Sequence, residues 1–177
     1  MLLGWRRRWA EISFFSPLAD EAPAADADAI YLPGGYPELH AGKLAAAQNF
    51  ARAMRAAAAR GLRIYGECGG YMVLGDGLID GEGVRHEMLG LLPVVTSYET
   101  RQRHLGYRHV TPLAGAFFDK AMTAHEFHYS TIVSEGEGDR LFATQDALGN
   151  DLGAAGLRRG QVAGSYMHLI DLAGTAA

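Results

Sequence analysis

The stretch Ile64-Tyr65-Gly66-Glu67-Cys68-Gly69-Gly70-Tyr71-Met72 holds the only cysteine of the 177-residue chain. An apolar β-type run ends in a glycine, the thiol follows two residues later, and two more glycines lead into a short apolar segment. This is the sequence shape of a nucleophile elbow, a sharp strand-to-helix turn that holds one side chain out over the end of a sheet. The glycines suit it because such a turn is strained and leaves no room for neighbouring Cβ atoms. A thiol there would sit where free backbone N–H groups favour the thiolate. A lone cysteine is more commonly a small buried hydrophobe; the glycine frame is what sets this one apart.

Working outward from that turn, Ala29-Ile30-Tyr31-Leu32 reads as a short strand stopped by Pro33-Gly34-Gly35-Tyr36-Pro37. Lys43 to Arg60 is alanine-rich, with Leu44, Ala47, Phe50, Ala51 and Met54 near helical spacing and Gly61 as a C-terminal cap. Leu62 to Tyr65 is the strand that feeds the turn. Further upstream, Glu11 to Phe15 reads as another strand, followed by a loop from Ser16 to Asp28. The order strand, loop, helix, strand, elbow predicts an α/β fold with a mostly parallel sheet flanked by helices. Such sheets place their sites beyond the carboxyl ends of the strands, where both glycine-rich segments fall. In the later half, Val94–Tyr98, Tyr107–Thr111 and Tyr129–Val133 read as strands, antiparallel in part. Gln161–Tyr166 reads as the last strand, and Gly75–Gly83 as a loop.

Composition narrows the field. With 49% hydrophobic residues the length suits one domain with a core of its own. A net charge of −4 argues against nucleic acid as a partner. One cysteine excludes an intrachain disulfide and fits a reducing compartment such as the cytoplasm. No apolar run approaches the roughly 18 residues of a membrane span. Residues 1–9, rich in arginine and tryptophan, lack the apolar core of a signal peptide and read as a stub or linker.

A thiolate nucleophile needs a base within hydrogen-bond reach. Of seven histidines, His168 is the best placed, just past the last strand in Gly164-Ser165-Tyr166-Met167-His168. Backbone N–H groups at Gly34-Gly35, with that of Gly69, could form an oxyanion hole, although Pro-Gly-Gly is also an ordinary turn. His125-Glu126-Phe127-His128-Tyr129-Ser130 is a dense polar cluster whose two histidines stand three apart, unlike the His-Glu-x-x-His zinc motif. No third ligand is evident beside it, so no metal is assigned, and the cluster reads as substrate contact or a buried hydrogen-bond network. Arg108, in Leu105-Gly106-Tyr107-Arg108, could meet a substrate carboxylate or lie on a surface strand. The chain has no phosphate-cradling Gly-x-x-x-x-Gly-Lys-Ser/Thr loop, so any ATP chemistry belongs to another domain or chain.

Taken together, the segments at 31–38, 65–72, 105–108, 125–130 and 164–168, with Phe14-Phe15-Ser16-Pro17-Leu18-Ala19-Asp20 before them, resemble one family. It is the C-terminal glutaminase domain of the cobyrinic or hydrogenobyrinic acid a,c-diamide synthases, in the cobyrinate/cobyrate synthase branch of the class I glutamine amidotransferases. The resemblance spans about residues 10–172, leaving 173–177 as a tail. It implies a flavodoxin-like α/β fold, Cys68 as nucleophile, His168 as its base, and Gly35 and Gly69 as the oxyanion hole. Gly34, Tyr36, Arg108, His128, Tyr129 and Ser130 are the implied glutamine contacts.

Two positions depart from the wider superfamily. Ile170 stands where a glutamate commonly follows the histidine, and Met72 where a glutamine follows the cysteine. The group that orients His168 is therefore open among Glu67, Glu126, Asp171 and an acid from a partner. The resemblance also implies a separate ATP-binding synthase domain, with ATP and Mg2+, that holds the corrin substrate and is absent from this chain; no cofactor is expected in the present domain. Homodimerisation stays open. Competing readings are the glutaminase of a cobyric acid synthase, a cysteine hydrolase or chaperone-like protein with the same elbow, and a non-catalytic docking module.

Overall fold

The computed structural model describes residues 2–7, 9–113 and 117–174. Among the described residues four α-helices are formed: α1 (Leu2–Arg7), α2 (Ala41–Ala46), α3 (Gln48–Ala59) and α4 (Gly69–Leu74). Twelve strands accompany them: β1 (Ala29–Leu32), β2 (Arg63–Glu67), β3 (Gly77–Ile79), β4 (Arg85–Glu87), β5 (Val94–Ser97), β6 (His104–Pro112), β7 (Met122–His128), β8 (Thr131–Glu135), β9 (Asp139–Asp146), β10 (Asp151–Arg159), β11 (Val162–Ser165) and β12 (Met167–Leu172).

The main sheet has eight strands in the order β1-β2-β11-β10-β9-β6-β7-β12. The fold is α/β, but the expected mostly parallel sheet is corrected. Only β1–β2 and β2–β11 pair in parallel; the pairings from β11 through to β12 are antiparallel. The reason is the connections. β1 reaches β2 through helical segments long enough for a crossover, whereas β9, β10 and β11 follow one another through short turns that permit only antiparallel neighbours. A second sheet, β4-β3-β5-β8, holds Gly77–Ile79, within the stretch read as a loop.

Two more expectations are corrected. Glu11–Phe15 forms no strand; Phe15 packs on Phe50 with ring centroids 6.1 Å apart, and Asp20 Oδ1 accepts the Phe50 N–H at 2.8 Å, so this segment is tied to α3 by side chains rather than by a ladder. The long helix predicted for Lys43–Arg60 is two helices, broken at Ala47, whose ψ of 74° stops α2 while its carbonyl accepts the Ala51 N–H and starts α3. Gly61 caps α3 as expected: at φ 76° it bonds to the Ala58 carbonyl while Leu62 bonds to that of Ala57, the paired pattern that closes helix C-termini.

α3 presents Phe50, Ala51, Met54 and Ala57 to the core at helical spacing, where they join Ile64, Leu74, Leu78, Leu92 and Val94. Tyr65, Val110, Ala124, Leu141, Phe142 and Met167 form a second apolar cluster. Neighbours in β2, Ile64 and Tyr65, belong to different clusters, so apolar packing covers both faces of this part of the sheet. The N-terminal segment is not detached, since Trp5 of α1 meets the Tyr31 ring edge-on at 5.4 Å.

Candidate functional site

β2 runs into Cys68, which takes φ 50° and ψ −105°, and α4 begins at the next residue. A positive φ is costly for a residue with a side chain. Three hydrogen bonds hold it in place: the Cys68 N–H donates to the Ser165 carbonyl at 2.8 Å, the Met72 N–H to the Cys68 carbonyl at 3.2 Å, and the Gly70 N–H to the Pro33 carbonyl at 3.1 Å. The contact across to β1 is so close that a Cβ on Gly70 would lie 2.1 Å from the Leu32 carbonyl oxygen. That contact brings the Pro33–Pro37 turn onto the cysteine. A Cβ on Gly34 would lie 2.7 Å from Cε1 of His168 and 3.5 Å from Cβ of Cys68. One on Gly69 would lie 2.8 Å from the Gly35 nitrogen, so the two backbones offered as an oxyanion hole adjoin each other.

The thiol is 6% exposed, and its Sγ lies 3.8 Å from the Phe127 carbonyl, its acceptor. His168 sits at the start of β12, where Nδ1 is 3.0 Å from Glu67 Oε1. The other Glu67 oxygen accepts the Leu169 N–H at 3.3 Å. Glu67 is 5% exposed, so a buried carboxylate with both oxygens engaged fixes the imidazole. Hydrogen bonds to Cys68 and then to Glu67, against the opposing effect of burial, push the His168 pKa up to about 10. His168 thus carries its second proton at neutral pH. Of the three acids considered as its orienter, the fold brings Glu67. Glu126 is held elsewhere, and Asp171 spends one carboxylate oxygen on the exposed Leu172 N–H.

The remaining polar residues gather around Glu126. Oε2 of Glu126 accepts from Arg108 Nε at 2.9 Å, and Oε1 lies 3.1 Å from His128 Nε2. Burial raises the Glu126 carboxyl, but His128 and Arg108 outweigh it and hold the pKa below its ordinary value. His128 stacks between His104 and Tyr166, at centroid distances of 4.5 and 3.6 Å, and the Ser130 hydroxyl donates to the Tyr166 hydroxyl at 2.8 Å. His104, Glu126, His128, Ser130 and Tyr166 line a cavity of about 370 Å³.

Of the expected glutamine contacts, only Gly34 lies between Cys68 and His168. Arg108 is engaged by Glu126 and by its neighbour's carbonyl, at Tyr107, rather than free for a ligand. His128 and Ser130 are in the cavity wall, and Tyr36 and Tyr129 are exposed. The Phe127 carbonyl carries no side-chain signature and could not be read from sequence. His104 could have been found only through its pairing with His128 across β6 and β7.

The family model of the CobB/CobQ-like glutamine amidotransferase domain matches residues 5–175. Hydrogenobyrinate a,c-diamide synthases are similar along nearly the whole chain: that of a Sinorhizobium species is 69% identical over 99% of it, and that of Rhizobium meliloti (strain 1021) 66% over 97%. The chain spans 41% and 40% of their respective lengths. Among solved structures, a glutamine amidotransferase from Thermotoga maritima matches 95% of this chain and 68% of its own, with a TM-score of 0.62 at 15% identity, a likeness of fold. By its match to the family model and to these relatives, the chain belongs to the CobB/CobQ-like glutamine amidotransferase domain family.

Proposed function

We propose that this chain is the glutamine-hydrolysing part of a hydrogenobyrinate or cobyrinate a,c-diamide synthase of cobalamin biosynthesis, supplying ammonia for amidation of corrin carboxylates. The observation that carries the reading is the Glu67–His168 pair set against the single thiol on the turn at Cys68. The similarity to hydrogenobyrinate a,c-diamide synthases supports the acceptor and favours it over cobyrate.

The Cys68 thiolate attacks the side-chain amide carbon of glutamine, and the carbonyl oxygen takes up negative charge against the N–H groups of Gly35 and Gly69. One such donor is typically worth about 10²–10³ in rate. His168, already protonated, gives its proton to the departing nitrogen, so ammonia leaves and a γ-glutamyl thioester remains. Neutral His168 then takes a proton from water, hydroxide adds to the thioester, and collapse restores the thiol and releases glutamate. Glu67 holds the ring in place and offsets its charge throughout.

Activation of the corrin carboxylates with ATP and Mg2+ falls to the portion of the relatives that this chain does not match, and the whole works in the cytoplasm. Replacement Cys68→Ser is the direct test: glutamate release should fall to background, and a variant that keeps the parent rate would overturn the assignment. A docking module without activity would show no release in the parent either.

A further inference from the structure

We propose that His104, Glu126 and His128 form a binding site for a borderline divalent cation, zinc above all, on the wall of the 370 Å³ cavity. One donor atom from each lies within 4.8 Å of the others. The sheet builds the set. His104 of β6 stands directly opposite His128 of β7, and Glu126, two residues before His128, shares its face. Two imidazoles and one carboxylate, with open positions left for water or a small molecule, are a donor set that suits zinc and Fe²⁺.

The supporting bonds of a metal site are already made. His128 Nδ1 lies 3.0 Å from the Ser130 carbonyl, which can only accept, so Nδ1 carries a proton, and an ion at Nε2 would replace the hydrogen bond that this nitrogen now makes to Glu126. A ligand histidine is usually fixed in this way. Arg108 occupies Oε2 of Glu126 and leaves Oε1 turned to His128. The ring of His128 is held from one face by that of Tyr166, stacked on it at 3.6 Å. Oε1 and Nε2 are 3.1 Å apart, near the spacing of about 3.3 Å that two ligands of a tetrahedral ion take at bonds of about 2.0–2.1 Å. Half-buried His104 now stacks on His128 and would close the set by turning out of that stack. Arg108 repels a cation, so affinity is lower than the same three ligands would give alone; Glu135, on the same cavity wall, is ion-paired with Arg140 there and adds little in the other direction.

The site does not depend on the proposed glutamine chemistry. Titration of the full chain with Co²⁺, followed by visible absorption, and with Zn²⁺ by calorimetry should give one ion per chain. His104→Ala should weaken binding by more than about a hundredfold while the far-ultraviolet circular dichroism is unchanged, a loss beyond the roughly 10–100-fold that removal of a supporting bond costs. Cys68→Ala should bind as the parent does. Absence of binding, binding that survives His104→Ala, or binding that is lost in Cys68→Ala would each overturn the proposal. Should the buried His128 variant fail to fold, the His104 variant still decides.

Discussion

At the scale of single residues, the site turns on Glu67, which occupies the position next to the cysteine rather than one near the histidine. Its two oxygens serve the ring of His168 and the backbone of Leu169, so it sets both the tilt and the charge of the imidazole. Glu67→Gln should lower kcat for glutamine hydrolysis by about 10²–10⁴ with little change in KM. In the same variant the His168 resonances should titrate at lower pH, which a purely structural role would not produce.

The raised pKa of His168 also has a consequence for stability. Below about pH 6.5, the ordinary histidine value, the folded and unfolded chains both hold the proton and the full contribution is present. Between there and about pH 10 only the folded chain holds it, so stability from this group is lost as pH rises. Urea denaturation across that window should show the decline, and His168→Ala should flatten it. From sequence, Cys68, His168 and the glycine turns were legible because strained backbone and strand ends leave compositional marks. Glu67 was one of three acids there, since the choice depends on where β12 comes to lie.

At the scale of elements, two glycines that look alike in sequence do different work. Gly61 supplies a left-handed residue at the end of α3 with open space around it, and Gly70 supplies contact between α4 and β1. Gly61→Ala should cost about 1–2 kcal/mol, the strain of the left-handed conformation alone. Gly70→Ala drives a methyl into the Leu32 carbonyl and should cost more than the 1–3 kcal/mol or so of ordinary overpacking, with loss of activity as the Pro33–Pro37 turn moves off Cys68. Denaturant midpoints of the two variants, measured side by side, check both.

The helical stretch of α2 and α3, though not its break at Ala47, and the strands β1 and β2 beside it were readable from periodicity. β9 and β10 were not, because Asp139–Asp146 and Asp151–Arg159 are both half-polar and the second contains glycines at positive φ, Gly153 and Gly156, that look like turn signals. The strand β7 was hidden for another reason: its polar residues advertise chemistry and mask the alternation.

At the scale of the whole molecule, the antiparallel β9–β6–β7–β12 portion supplies His168 and the Phe127 carbonyl, while the parallel β1–β2–β11 portion supplies Cys68, Glu67 and the glycine turns. The site is therefore a junction between two styles of sheet, which is why the expectation of a mostly parallel sheet still located the Cys68 side of it. On the proposed function, the chain purified alone should release ammonia and glutamate in equal amounts into bulk solvent, at a rate that ATP does not alter, because the acceptor chemistry is assigned to the part of the relatives that it does not match. A coupled assay for both products, with and without ATP, checks this.

The strand Met122–His128 sorts its side chains by parity. Even positions carry Glu126 and His128 to the cavity, and odd positions bring His125 opposite His168 and leave Phe127 exposed, its carbonyl beside the thiol. A slip of β7 by one residue against β6 and β12 would exchange the two sets at once. Substitutions there act locally, one side chain at a time; a single residue inserted or deleted within β7 itself would rewrite both the cavity and the surroundings of the thiol.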